Sequence, residues 1–404
     1  MIITTKKIKD IIFTLLLFVL AIANASPHIF LYGYQRPLYF AMLLICIVIT
    51  LFRVVNGAMI SKDYLVRIVL VALMFIFPIV FGNQTYANRY LHLSGLLLYP
   101  MIYEATKNSK IPTYLVRLLF VWSILVAIPT IIACSGAPYA SRQADVSALY
   151  QSMGVGGYMY IYAIALGSVI LFAYAINSTF SKKTILLYAI WMLYIVTIYK
   201  SNFITSVLVA VLGAFCCIVC KKNSAKNKIM SILFFSLFIF LLSGPIFQYL
   251  GTFIRSIIPD SGRIANIFGG SGNLFQSLIN EFIGDRLPTL QSSINAINKH
   301  PIAGLVFTEF DNFDFGQHST ILDTFALWGI PIGCIYLYLM FKPYFSVTRR
   351  KHYEYTIPIL VSFSILAFFN NIECTSAFVM FYIGLSVIDY NEERNETVNV
   401  RGAK

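Results

Sequence analysis

Runs of about 14–22 apolar residues, separated by short polar breaks, fill almost the whole chain. Runs this long, without apolar–polar alternation, cross hydrocarbon as helices whose peptide groups are satisfied internally. Barrel strands are shorter and alternate. The pattern therefore predicts an all-α, polytopic integral membrane protein occupying residues 1–404 as one membrane domain. A hydrophobic fraction of 58% excludes an ordinary soluble domain. The pattern stops once at length, between Gly251 and Gln317. This polar stretch carries Arg255, Arg263, Arg286 and His300, with His318 at the threshold of the next apolar run. A membrane protein that concentrates arginine and histidine in one loop (residues 251–318) is expected to do its chemistry there.

About twelve spans are read. They are Ile11–Ile22, Leu38–Phe52, Tyr64–Phe81, Tyr90–Tyr103, Thr113–Cys134, Val155–Ile176, Thr184–Tyr199, Phe203–Cys220, Ile229–Leu250, Thr320–Phe341, Thr356–Phe369 and Ser376–Val387. Alternation puts Lys6, Lys7, Lys9, Lys62, Lys107, Lys110, Lys182, Lys183, the Lys221–Lys228 cluster, Lys342 and Arg349–Lys351 on one side. Roughly 22 of the 30 basic residues share that side, which makes it cytoplasmic. Both termini then lie inside and the long loop lies outside. The net charge of +13 is this loop bias and predicts no nucleic-acid partner. The Lys-rich start followed by Ala23-Asn24-Ala25 has the look of a secretory signal, but it reads better as an uncleaved first span.

A second outer loop, residues 135–154, carries Arg142 and Asp145 and runs into Gly154-Val155-Gly156-Gly157. There the backbone can pass close to a neighbour or a ligand. Seven cysteines give no disulfide or zinc framework. Glu309, Asp311 and Asp314 match no full calcium-loop spacing. No internal repeat divides the chain into related halves, and intramembrane charges are few. Arg67 and Arg117 lie near inner span ends, where snorkelling explains them.

Within the long loop, Leu274, Phe275, Leu278, Ile279, Phe282 and Ile283 share one face of an interfacial helix. A second helix is predicted to start after Asp285 with Pro288 in its first turn, and to stop near Lys299 because Pro301 follows His300. Leu287, Leu290, Ile294 and Ile297 form its expected apolar stripe. Arg286 then sits at a helix start, beside exposed amides, where an anion would meet both a guanidinium and N–H groups.

Arg286, the short helix, His300-Pro301-Ile302-Ala303-Gly304, His318-Ser319-Thr320, Asp323 and Gly329-Ile330-Pro331-Ile332-Gly333 follow one another over about 50 residues. This order resembles the signature region of the O-antigen polymerase and ligase superfamily. His-Ser at the span start is closer to the repeat-unit polymerases of O-antigen and capsule (the Wzy type) than to the ligases, which usually show His-Asn. Ligases also usually show Ser-Arg-Gly at a mid-chain outer span end; here Lys200-Ser201-Asn202 stands there. The spacings Arg142 to Gly154 and Arg286 to Gly304 run slightly longer than the motifs associated with some polymerases.

The resemblance implies a GT-C-like membrane glycosyltransferase of the bacterial inner membrane, with its active loop on the outer face. Donor and acceptor would be undecaprenyl-diphosphate-linked oligosaccharides, the lipid diphosphate would leave, and the sugar configuration would invert. No metal or other cofactor is implied. A chain-length regulator and a flippase are the implied partners. On this reading Arg286, Arg142, Arg263, Arg255 and Lys200 hold the diphosphate, and His318 is the base. Ser319, Asp323 and Glu373 support them. Physical chemistry agrees in kind: a departing diphosphate gathers negative charge that fixed guanidiniums stabilise, and an attacking hydroxyl needs a base neutral near pH 7. The rivals are a ligase that uses lipid A–core as acceptor, and a lipid-linked oligosaccharide flippase.

Overall fold

A computed structural model of the chain describes residues 5–23, 25–26, 35–55, 61–80, 87–221, 286–307, 316, 318–346, 352–372 and 374–390. The expected span Ile229–Leu250, the interfacial helix of Leu274–Ile283, Arg255, Arg263, Glu373 and the Glu309–Asp314 carboxylates lie outside the described residues.

Every regular element among the described residues is helical. In chain order the main helices are α1 (Thr5–Ile22), α2 (Gln35–Val55), α3 (Lys62–Val80), α4 (Ala87–Leu96), α5 (Leu98–Thr106), α6 (Ile111–Gly136) and α7 (Tyr158–Asn177). They continue with α8 (Lys182–Lys200), α9 (Ile204–Cys220), α10 (Leu287–Lys299), α11 (Thr320–Phe341), α12 (Tyr353–Phe369) and α13 (Thr375–Tyr390). Among the described residues, four segments are long and apolar enough to cross a membrane: Ile111–Gly136, Tyr158–Asn177, Lys182–Lys200 and Thr320–Phe345. The helices α9, α12 and α13 are apolar but shorter.

Helix α7 is the hub. Its side chains are apolar all round, and it packs against α8, α9, α12 and α13 with most of its residues buried. A helix hydrophobic on every face is stable only when enclosed. Helices α9 and α12 close the other side of this core, and α1 packs on α6. The end of α1 is tied inward, since Thr375 Oγ1 donates to the Ala21 carbonyl at 2.5 Å.

The single span expected over Tyr90–Tyr103 is two helices, α4 and α5, broken at Leu97. Pro100 is the cause: it offers no N–H to Leu96 and its ring crowds that carbonyl. Proline acts again in α11. Pro331 leaves the Leu327 carbonyl without its helical partner. Gly329 takes φ 75° and ψ 167°, and the Ile330 N–H turns outward to the Pro301 carbonyl at 2.7 Å. The turn after α10 docks into this break. A Cβ on Gly304 (φ 66°) would lie 2.4 Å from the Gly329 nitrogen, and one on Gly329 would lie 2.1 Å from the Ile302 oxygen. Only two glycines allow this approach and these backbone angles.

One end of the bundle is locked by charge. Arg67, fully buried, donates from Nη1 to Glu104 Oε1 at 2.9 Å and from Nε and Nη2 to the Leu339 carbonyl at 3.1 Å each. This corrects the expectation that Arg67 snorkels: it braces α3 to α5 and α11. At the same end Lys342 meets Asp63 at 2.6 Å, and the Tyr103 hydroxyl donates to Asp389.

Candidate active site

The opposite end gathers those of the residues singled out in the sequence that are described. It is built from the end of α6, the 137–157 loop, the start of α7, the α8–α9 turn, the start of α10 and α11, and the α12–α13 turn. Helix geometry explains the assembly. A span that ends at this face must turn within a few residues, and its terminal amides and carbonyls are then available to other segments.

Tyr162, one turn into α7, stands at the centre. Its hydroxyl donates to Asn370 Oδ1 at 2.6 Å, and the Arg286 guanidinium lies against the same hydroxyl. Arg286 immediately precedes α10, as read from the sequence, and its Nη1 donates to the Phe369 carbonyl at 2.6 Å. The last residues of α12 thus hold both the arginine and, through Asn370, the tyrosine. The charge of Arg142 also acts on Tyr162, and both residues contact Phe203. The Tyr162 and Phe203 rings meet edge to face, centroids 5.9 Å apart, and the Arg142 guanidinium lies 5.3 Å from the Phe203 ring and 5.7 Å from Tyr139. Such cation–aromatic seats fix a guanidinium in place.

Arg142 is further oriented by Nη2 donating to the Asn202 carbonyl at 3.1 Å. Asn202 makes the turn between α8 and α9 with φ 58°, a left-handed conformation that asparagine tolerates better than most residues. It is 3% exposed, and neither atom of its side-chain amide has a hydrogen-bond partner among the described residues. Buried amides are nearly always paired, so this one calls for a partner.

Asp145 follows Arg142 in the 137–157 loop and caps α7: the Tyr158 N–H donates to its Oδ2 at 3.1 Å. Burial pushes the Asp145 carboxyl up to about 6, against the opposing effect of the Tyr158 N–H. A Cβ on Gly157 would lie 1.9 Å from Asp145 Oδ1, so the glycine-rich approach serves a close neighbour inside the protein.

His318 is exposed at the mouth of α11, and the next residue, Ser319, is the N-cap, its Oγ accepting the Leu322 N–H at 3.1 Å. Asp323 is fully buried. It accepts the Ser293 hydroxyl at 2.8 Å and the Ser319 N–H at 3.3 Å. It therefore clasps α10 to the start of α11, a geometry that periodicity did not suggest. Thr320 extends the clasp: its N–H donates to the Asn370 carbonyl at 3.2 Å, and its Oγ1 accepts the Ile372 N–H at 2.7 Å. Lys200, the last residue of α8, lies close enough for its charge to act on the Cys134 thiol at the end of α6. Cys134 is free.

One expectation needs correction. The buried face of α10 is Leu290, Ser293 and Ala296, whereas Leu287 and Ile294 are exposed. Leu290 and Ile297 of the expected stripe do turn inward, and Ser293 joins them because the neighbour there is the polar start of α11. The sequence reading also missed Tyr162, Phe203, Asn202 and Asn370. The one available signal was a tyrosine in the first turn after a Gly-Gly pair, opposite the short turn that begins at Asn370.

Compared with protein-family models and with curated proteins, the chain matches none.

Proposed function

We propose that this protein is a membrane glycosyltransferase that joins undecaprenyl-diphosphate-linked oligosaccharide units into a surface polysaccharide. It would act on the outer face of the bacterial inner membrane, with both termini inside and about twelve spans. The observation that carries the reading is the convergence of Arg142 and Arg286 on Tyr162 from two loops more than a hundred residues apart in sequence. Two guanidiniums directed toward one hydroxyl from separate loops suit an anion of more than one charged group, and a diphosphate is such an anion. Each plane is held by a main-chain carbonyl, so little reorganisation is needed as charge develops on the leaving group.

In the proposed reaction the acceptor sugar hydroxyl attacks the anomeric carbon of the donor chain. The carbon–oxygen bond to the diphosphate breaks, the configuration inverts, and the electron pair leaves with the lipid diphosphate. Arg142 and Arg286 stabilise that charge, with Lys200 and the arginines at 255 and 263 as further cations. The unpartnered Asn202 amide beside Arg142 suits a substrate oxygen. His318, exposed where the loop enters α11, takes the hydroxyl proton. Asp323 and Ser319 have a positioning role through the α10–α11 clasp.

The test uses purified protein in detergent, synthetic undecaprenyl-diphosphate repeat units and EDTA, with products resolved as a gel ladder. A ladder from wild type that disappears in Arg286→Ala and in His318→Ala, with folding intact, supports the reading. No wild-type ladder from the genuine repeat unit favours the ligase or the flippase. A ladder that survives in His318→Ala moves the base elsewhere.

A further inference from the structure

A groove of about 340 Å³ runs between α1 and α6, lined by Ile11, Thr14 and Leu15 on one side and Tyr114, Arg117 and Leu118 on the other. The α6 wall lies in the early turns of its helix, whereas the α1 wall lies near the middle of its own. Its floor is apolar. Thr14 is the exception by composition only, because its hydroxyl is spent on the Asp10 carbonyl at 2.6 Å and leaves its methyl to the groove.

Arg117 is the anomaly. It is exposed on a helix apolar enough to cross a membrane, six residues past the first residue of α6, or about 9 Å along the axis. It makes no hydrogen bond or ion pair among the described residues, and Asp10, the one carboxylate on the facing turns of α1, does not pair with it. A guanidinium at that depth has to reach headgroup level and meet water or an anion there. Exposed Lys9, Lys107 and Lys110 at the same end deepen the positive field. A groove of this volume with an apolar floor admits a single hydrocarbon chain.

We propose that this groove binds one anionic glycerophospholipid, with an acyl chain along Ile11, Leu15 and Leu118 and the phosphate on the Arg117 guanidinium. Basic recesses between membrane helices select anionic headgroups in this way. The site is separate from the arginine cluster around Tyr162 and holds whatever reaction that cluster performs.

Native mass spectrometry of the full chain, stripped of lipid in neutral detergent and titrated with phosphatidylglycerol or phosphatidylcholine of equal chain length, tests it. Wild type should retain the first phosphatidylglycerol about fivefold better than phosphatidylcholine. Arg117→Gln should lose that preference and keep its melting temperature without added lipid. Leu15→Trp, which fills the groove, should weaken retention of both lipids, and Lys182→Gln, an exposed cation on α8, should behave as wild type. A wild type without preference, an unchanged preference in Arg117→Gln, or a Lys182→Gln as deficient as Arg117→Gln would each overturn the proposal.

Discussion

Gly304 and Gly329 meet backbone to backbone: both have φ near 70°, and a methyl group on either would lie 2.1–2.4 Å from main-chain atoms of the other's segment. Gly304→Ala and Gly329→Ala are therefore each expected to destabilise the protein, on the order of 2–4 kcal/mol. Gly136→Ala, where a Cβ meets nothing within 4 Å, should be close to neutral. Thermal melts in one detergent compare the three. Equal melting temperatures would remove the interlock as a structural determinant.

Arg286→Lys and Arg142→Lys keep the charge but lose the planar fork and the seats on Phe369 O and Asn202 O. On the proposed function, the expected result is a fall in polymerisation rate of about a hundredfold for each. Melting temperature should change little. Rates within a few-fold of wild type would mean that these guanidiniums carry no developing charge.

Asp145 gives a pH signature. Its carboxyl is pushed up to about 6 from an ordinary value of 3.8, so the folded protein holds this proton more tightly than the unfolded chain. The stabilising contribution is complete below about pH 3.8 and is lost as pH rises through about 6. Asp145→Asn keeps an acceptor for the Tyr158 N–H and removes that loss. It should melt above wild type at pH 7.5, and the difference should shrink toward pH 4. A constant difference across that range would contradict the assignment.

Asp323→Ala strands the Ser293 hydroxyl and the Ser319 N–H in a buried place, at a cost of about 2–4 kcal/mol, while Ser293→Ala should cost about 1 kcal/mol. The discriminating measurement is rate per folded molecule. Ser293→Ala should leave it near wild type, as expected of a clasp. A large loss without loss of stability would put Asp323 in the chemistry.

Much of the architecture was legible because apolar length and punctuation are local properties. Ser319 before an apolar run marked the start of α11, and Pro288 and Pro301 bracketed α10. The break at Leu97 was also written locally, in Pro100, but a continuous apolar run concealed it. The face of α10 was not legible, since 100° spacing gives an apolar side without saying whether protein or lipid lies against it. The arginines could be picked out as cations outside the spans. Tyr162 and Asn370 could not, because their meaning is a 2.6 Å contact between residues 208 positions apart.

The Arg67 brace at the far end bears on transport. A carrier works by alternating access, opening to each side of the membrane in turn. To open at the Arg67 end, this bundle would have to part a fully buried guanidinium from Glu104 and from the Leu339 carbonyl. Leaving such a charge unpaired costs about 3–5 kcal/mol in each cycle. On the proposed function, a bundle bolted at one end and assembled from loops at the other would admit and release its substrates through a single door.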